Sequence, residues 1–262
     1  MTTPISAAKI EQYKARGYTT VEGFFVPREV QAMQREVGRW VDQGLPRDVA
    51  IPDSRQNLQL IPLFPQSRLF RALPFHPRVT RAVSALLGDP VVKILDQMFY
   101  KPPRVGMGTN WHTDNAYFHI PRPIRGCAMW IAIHDANRGN GTLKVMPDMV
   151  ERELLHERDP ASDHHIRTWL DETDAVHCEL AAGVLISSGR AGPPRAAPPP
   201  TPPARAGVGI HFVNFDHAAE DMKQGKRWQH ARLTGPGATD GEREYGERVS
   251  FSAEVDRVLA RA

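Results

Sequence analysis

The 262-residue chain contains only two cysteines, Cys127 and Cys178. They form no CxxC pair and are too few for a disulfide scaffold or a cysteine-built zinc site, so a reducing, cytoplasmic setting is the default expectation. No stretch approaches the roughly 18 apolar residues that a membrane helix needs, which argues against an integral membrane protein. The first residues lack a basic head followed by an apolar run, so no secretory leader is expected. An excess of one charge is missing too. The 33 Lys and Arg face 30 Asp and Glu, the net charge is +3 and the basic residues are scattered. No stripe that would track a nucleic-acid backbone is predicted. The phosphate-cradling GxGxxG and GxxxxGK[ST] patterns and the GxSxG nucleophile elbow are absent. Proline, by contrast, is in excess: 23 of 262 residues, well above the usual share of about 5%.

Helical signals come first along the chain. Residues 6–16 read as a short helix, followed by a short strand from Tyr18. Pro27 suits a first helical turn, and Val30, Met33, Val37, Trp40 and Val41 then recur at helical spacing up to Gly44. A third helix is predicted through Val79, Val83, Leu86 and Leu87, closed by Gly88-Asp89-Pro90. Strands follow: Val91–Tyr100, the apolar run Gly126–Ala136, Thr142–Met146 after the Asn137–Gly141 turn, Gly207–Phe215 and a last one at Val249–Val255. A helix is expected near 163–170. Strands and helices do not alternate, which disfavours a parallel α/β fold. The expected class is mainly β with flanking helices (α+β), a sandwich or barrel in one domain, with helical elements over 1–90 and a β core over 91–255.

The chemistry concentrates in Y-K-P-P-R-V-G-M-G-T-N-W-H-T-D-N-A-Y-F, residues 100–118. His112 and Asp114 are two apart and would share one face of a strand. An imidazole and a carboxylate on one face make two-thirds of the 2-His-1-carboxylate triad that binds non-haem Fe(II) and leaves open positions for a co-substrate and O2. With 11 histidines in the chain, one His-x-Asp pair is about what chance supplies. A histidine bonded to a neighbouring aspartate is the plainer reading of the spacing alone.

Several further blocks stand in order around this pair: R-G-Y-T-T-V-E-G-F-F-V-P-R-E-V near the start, A-M-W-I-A-I-H-D-A from Ala128, N-G-T-L-K-V-M-P from Asn140 and P-A-R-A-G-V-G-I-H-F from Pro203. Together they resemble the phytanoyl-CoA dioxygenase family of Fe(II)/2-oxoglutarate oxygenases. The resemblance implies a double-stranded β-helix (jelly-roll) with helices packed outside. It implies His112 and Asp114 as iron ligands, and Lys101 and Arg205 as the cations that hold 2-oxoglutarate. Arginine suits a carboxylate because its planar fork donates two parallel hydrogen bonds. Gln97 shares a strand face with Lys101 by even spacing, and Trp130 matches a position near the co-substrate. An ordinary polar strand residue and plain core packing are equally good readings of these two. The histidines at 156, 164, 165 and 177 lie in a charged region and are expected mostly at the surface. The implied reaction hydroxylates a small organic substrate with O2, releasing succinate and CO2, with no nucleic acid or membrane involved.

The family pattern breaks at its third ligand, a second histidine about ten residues before the 2-oxoglutarate arginine. Counting back from Arg205 lands near Pro194, and no histidine occurs between His177 and His211. His211 lies six residues beyond Arg205, about 20 Å along an extended strand, and is expected away from the metal. From Gly189 to Gly207 every residue except Thr201 is Gly, Arg, Ala or Pro, and seven prolines fall within Pro193–Pro203. Proline that dense removes ladder donors and predicts an extended polyproline-like loop. All four residue types are encoded by codons with G or C in the first two positions, so a local frameshift in a GC-rich gene is one reading, tested by resequencing codons 187–205. A diverged loop in an inactive family member and a natural Pro-rich lid are the others. Function therefore divides between an active oxygenase, a degenerate jelly-roll that binds without oxidising, and a cupin-like hydrolase or isomerase using His112 with another divalent metal.

Overall fold

A computed structural model describes residues 4–43, 58–101, 110–149, 152–160, 165–187, 191–192, 205–224 and 230–261. Helix α1 (Ala7–Arg16) starts where Ser6 Oγ accepts from the Lys9 N–H and stops at Gly17, whose φ of 77° closes the last turn. Strand β1 (Tyr18–Val21) leads to α2 (Pro27–Asp42), which has proline in its first turn and the Glu29 carboxylate accepting from the Val26 N–H at 2.9 Å. Its apolar stripe, Ala32, Met33, Val37 and Trp40, is buried. Then come β2 (Leu58–Leu60), α3 (Arg68–Ala72), α4 (Pro77–Leu87) and β3 (Val91–Lys101).

The remaining strands are β4 (Gly126–Ala132), β5 (Leu143–Val145), β6 (Glu157–Arg158), β7 (Ile166–Arg167), β8 (Val176–Cys178), β9 (Val184–Ser187), β10 (Ala191–Gly192), β11 (Arg205–Asn214) and β12 (Ala231–Arg232). Short helices α5 (Asn115–Phe118), α6 (Glu220–Lys223) and α7 (Glu242–Tyr245) lie among them, and α8 (Phe251–Ala260) ends the chain. The main sheet runs β1-β9-β4-β11-β3, with β2 and β12 both on the outer edge of β3; a second sheet runs β10-β5-β8. Every pairing is antiparallel.

Strand alternation sorts β11 between two environments. Ala206, Val208, Ile210 and Phe212 join Met98, Met129 and Ile131 in the core beneath the helices, each large side chain stabilising the fold by about 1.5–3 kcal/mol. Residues on the opposite face look into the space between the sheets, where Trp130 and Ala132 meet Leu143, Val145 and Cys178. Two facing antiparallel sheets with helices outside make the expected jelly-roll.

Two expected elements differ. Val249–Val255 is not a strand, because α8 occupies Phe251–Ala260. Ser250 Oγ accepts from the Ala253 N–H, and Phe251, Glu254, Val255 and Val258 are buried at helical spacing. The helix expected near 163–170 is also not found there. Residues 161–164 lie outside the described part, and Ile166–Arg167 is extended against Glu157–Arg158. The Thr168 N–H continues that course by donating to the Trp111 carbonyl at 2.8 Å, so tertiary partners override helical pattern. The predicted polyproline-like loop falls almost wholly on residues 193–204, outside the described residues. Among the described residues no helix is long and apolar enough to cross a membrane.

Candidate active site

β11 and its neighbours β3 and β4 carry most of the residues singled out by sequence. Register sets Arg205 opposite Lys101, Gly209 opposite both Gln97 and Trp130, and His211 opposite Leu95 and Ala128. Period-two alternation puts Arg205, Gly207, Gly209 and His211 on one face, and the glycines leave room above the strand. A Cβ on Gly207 would fall 2.4 Å from Trp130 Cζ2, so that glycine is what lets the indole lie against β11.

At the start of β11, Arg205 is almost fully buried. Its Nε donates to the Asn140 carbonyl at 3.1 Å, its Nη2 donates to the Gly141 carbonyl, and its guanidinium stacks 5.1 Å from the Trp130 ring centre. The Asn137–Gly141 turn that supplies those carbonyls is itself braced. The Asn137 and Asn140 side chains each accept from the other's N–H, and Gly141 has φ 83°. Arg205 Nη1 and Lys101 Nζ are buried without a hydrogen-bond partner among the described residues. Burial, and then the neighbouring Arg205 charge, push the Lys101 pKa down to about 7; burial alone lowers Arg205 to about 10. Two buried cations with unused N–H groups fit an anion, and the planar Arg205 fork fits a carboxylate. Between this end and His211, Gln97 Oε1 accepts from Gln59 Nε2 at 2.8 Å.

The second cluster forms around Asp114, in the loop that runs into α5. His112 Nε2 lies 3.4 Å from Asp114 Oδ1, and His112 Nδ1 faces the Asn110 carbonyl at 2.8 Å, which fixes the ring and turns Nε2 toward the carboxylate. Tyr117 packs edge-on against the imidazole at 5.8 Å. Burial works against the ionised forms of both groups, but their mutual attraction outweighs it. The His112 pKa is raised, and the Asp114 carboxyl is held well below the usual range by the charge of His211 and hydrogen bonds to His112 and His211. Two metal–ligand bonds of roughly 2.1 Å at right angles put their donors about 3 Å apart. The separation of His112 Nε2 from Asp114 Oδ1 therefore suits one shared ion.

His211 corrects the sequence expectation. It is not remote from the His112–Asp114 pair: its Nε2 sits 3.3 Å from Asp114 Oδ2. β11 runs from Arg205 to Asn214, so the six residues that separate His211 from Arg205 carry it toward the His112–Asp114 loop. Even spacing from Arg205 on a strand was the signal available for placing it on the pocket face. Among the described residues, no group of three His, Cys, Asp or Glu side chains is arranged to close on one metal ion; Asp114 lies between the two rings.

The histidine-rich segment is likewise more engaged than expected. His156 is half-buried, with Nε2 accepting from the Thr113 N–H at 3.0 Å and Nδ1 facing the Leu154 carbonyl at 2.8 Å. His165 and His177 are also half-buried, while His164 lies outside the described residues. Four more contacts tie the segment to the His112–Asp114 loop and α5: Asn110 to Asp159, Thr168 N–H to the Trp111 carbonyl, Trp111 Nε1 to Glu172 and Ile166 N–H to Tyr117 Oη. These polar residues showed no pattern in sequence that would reveal the contact.

The chain is similar to known proteins over most of its length. The ectoine dioxygenase of Sphingopyxis alaskensis is 24% identical over 204 residues, 72% of this chain and 66% of the relative. The chain thus spans just under two-thirds of that relative's length. The crystal structure of EctD from S. alaskensis with 2-oxoglutarate and 5-hydroxyectoine aligns with a TM-score of 0.63 at 19% identity, covering 91% of this chain and 83% of that one. The non-heme alpha ketoglutarate dependent carbocyclase SnoK from nogalamycin biosynthesis aligns at 0.64 and 17% identity, covering 90% and 94%. The family model described as phytanoyl-CoA dioxygenase (PhyH) matches residues 13–188, and the chain belongs to that family.

Proposed function

We propose that this protein is an Fe(II)- and 2-oxoglutarate-dependent dioxygenase of the phytanoyl-CoA dioxygenase type, hydroxylating a small organic substrate with release of succinate and CO2. The observation that carries the reading is the pair of unpartnered buried cations, Lys101 Nζ and Arg205 Nη1, on the strands that also lead to His112 and Asp114. An anion is the ligand such a pocket demands, and a dicarboxylate is long enough to leave its other end free to reach beyond it.

In this reading Arg205 and Lys101 bind the far carboxylate of 2-oxoglutarate. The Asn140 and Gly141 carbonyls hold the Arg205 fork so that Nη1 meets the ligand without rearranging. Trp130 forms the apolar floor under the guanidinium, Gln97 lines the middle of the pocket, and His112 and Asp114 hold iron. Iron, when bound, supplies the redox chemistry that couples O2 to decarboxylation of the co-substrate and hydroxylation of the substrate. Buried Trp111, Phe118 and Trp130 keep bulk water from the charges, which strengthens each electrostatic contact.

Anaerobic addition of Fe(II) and 2-oxoglutarate should produce a metal-to-ligand charge-transfer band, and aerobic incubation with candidate substrates, ectoine among them, should release succinate. Absence of the band would refute the reading. The chain's lack of a histidine near Pro194 favours a second reading, a binder with little turnover. A band without succinate would select it.

A further inference from the structure

The two oxygens of Asp114 have different neighbours. Oδ1 faces His112 Nε2 at 3.4 Å, and Oδ2 faces His211 Nε2 at 3.3 Å. His211 is buried, its ring packs 5.0 Å from Phe118, and its Nδ1 has no hydrogen-bond partner among the described residues. An imidazole can carry its N–H on Nε2 whether it is charged or neutral. With nothing to accept at Nδ1 and a carboxylate oxygen at Nε2, the proton belongs on Nε2, donated to Asp114. The β11–β3 ladder shifts beside it: His211 stands opposite Leu95 but Phe212 opposite Lys93, so the unpaired residue is Ile94 on β3, while against β4 the register of β11 runs unbroken through His211.

We infer that His211 is a positioning residue for iron: it holds Asp114 Oδ2 through its Nε2–H and leaves only Oδ1, beside His112 Nε2, to bind the metal. The inference rests on the proposed iron- and 2-oxoglutarate-dependent reading. With Oδ2 held by His211, Asp114 would offer a metal one oxygen, Oδ1, beside His112 Nε2. His211 is not the missing third ligand. Its ring and the His112 ring stand on opposite oxygens, and no three such side chains among the described residues close on one ion. With two protein donors identified, iron affinity depends strongly on how firmly Asp114 is held. Partners one step outside a metal site typically change affinity 10–100-fold when removed.

The test uses the full-length chain, its His211→Ala variant, and His211→Gln, whose amide N–H reaches a position close to that of Nε2. Fe(II) is titrated anaerobically, and pulsed EPR on the Cu(II)-loaded proteins counts imidazole nitrogens bound to the metal. Expected are one bound imidazole in the wild type and in His211→Ala, Fe(II) binding weakened 10–100-fold in His211→Ala, and most of the affinity restored in His211→Gln. Two imidazoles in the wild type falling to one in His211→Ala would make His211 a ligand and overturn the inference. Unchanged Fe(II) affinity in a folded His211→Ala would overturn it as well. Failure of the functional reading is separate: it appears as wild-type protein that binds Fe(II) yet gives no charge-transfer band with 2-oxoglutarate.

Discussion

Charge is balanced in opposite ways toward the two ends of β11. Near His211, Asp114 sits between two imidazoles that offset its burial. Near Arg205, a guanidinium and an ammonium are buried together with no carboxylate against them among the described residues. A third buried charge sharpens the contrast. Lys93, on the same strand as Lys101, is buried outright where Lys101 is half-buried with its Nζ out of water, but it donates to Asp96 Oδ2 at 2.8 Å and lies 4.7 Å from the Phe64 ring centre. Burial lowers its pKa while Asp96 opposes the shift. Lys93 is a structural lysine with its counter-ion built in, whereas Lys101 Nζ has no partner among the described residues, the donor that the proposed 2-oxoglutarate role would use. Burial alone does not nominate a binding residue; burial with an unfilled donor, beside a second such cation, is what sets Lys101 and Arg205 apart from Lys93.

The largest effect expected from breaking this comparison is at the completed pair. Lys93→Met leaves Asp96 buried without its cation and should cost about 3–5 kcal/mol, measured by denaturant unfolding, with 2-oxoglutarate affinity little changed in protein that folds. Arg205→Ala should do the reverse in emphasis. It should weaken 2-oxoglutarate binding about a hundredfold, in line with the 2–5 kcal/mol lost when one partner of a buried charge pair is truncated, as read by calorimetry. Gly207→Ala pushes a methyl into the Trp130 ring, and strain of about 1–3 kcal/mol should appear in stability and in co-substrate affinity together.

Lys101→Met should weaken 2-oxoglutarate about tenfold, yet leave the unliganded protein as stable or more so at pH 7, because it removes an uncompensated buried charge. The pH dependence has a definite sign. Lys101 titrates near 7 when folded and at about 10.4 when unfolded. Between those values the unfolded chain binds the extra proton, so stability rises with pH. Thermal unfolding from pH 7 to 10 should show that rise in the wild type, and Lys101→Met should flatten it. Binding of 2-oxoglutarate supplies the counter-charge, so proton uptake on binding at pH 8 should be seen in buffers of different ionisation enthalpy. The smallest effect is expected where Glu172 braces the His112–Asp114 loop through Trp111. Glu172→Gln loosens contacts to Lys144 and Trp111, and with the carboxylate partly exposed the loss should stay within about 1 kcal/mol.

Much of this was legible in the chain. Helical spacing after Pro27 and through Val79–Leu87, the apolar run after Gly126 and the Asn137–Gly141 turn each foretold an element, because local chemistry and tertiary environment agree there. Val249–Val255 misled because a short β-branched apolar run suits strand or helix, and the Ser250 cap and packing against the helical layer decided for helix. Gln97 and Lys101 were correctly placed on one face by period two. His211 was misjudged although the same period applies, since distance along a strand does not tell which end of the pocket it approaches.

Residue order by itself determined the helices-then-strands architecture, the family blocks, the His112–Asp114 spacing and the lack of a histidine near Pro194. These follow from local periodicity, turn chemistry and residue identity, which need no partner to be read. Only the tertiary structure decided that Arg205 keeps one nitrogen free while turn carbonyls take the others, that Lys101 lies buried without an anion, and that His211 meets Asp114. Each is a relation between residues far apart in the chain. What selects it is the cost of burying a charge, and that cost is set by which side chains the sheet register brings face to face.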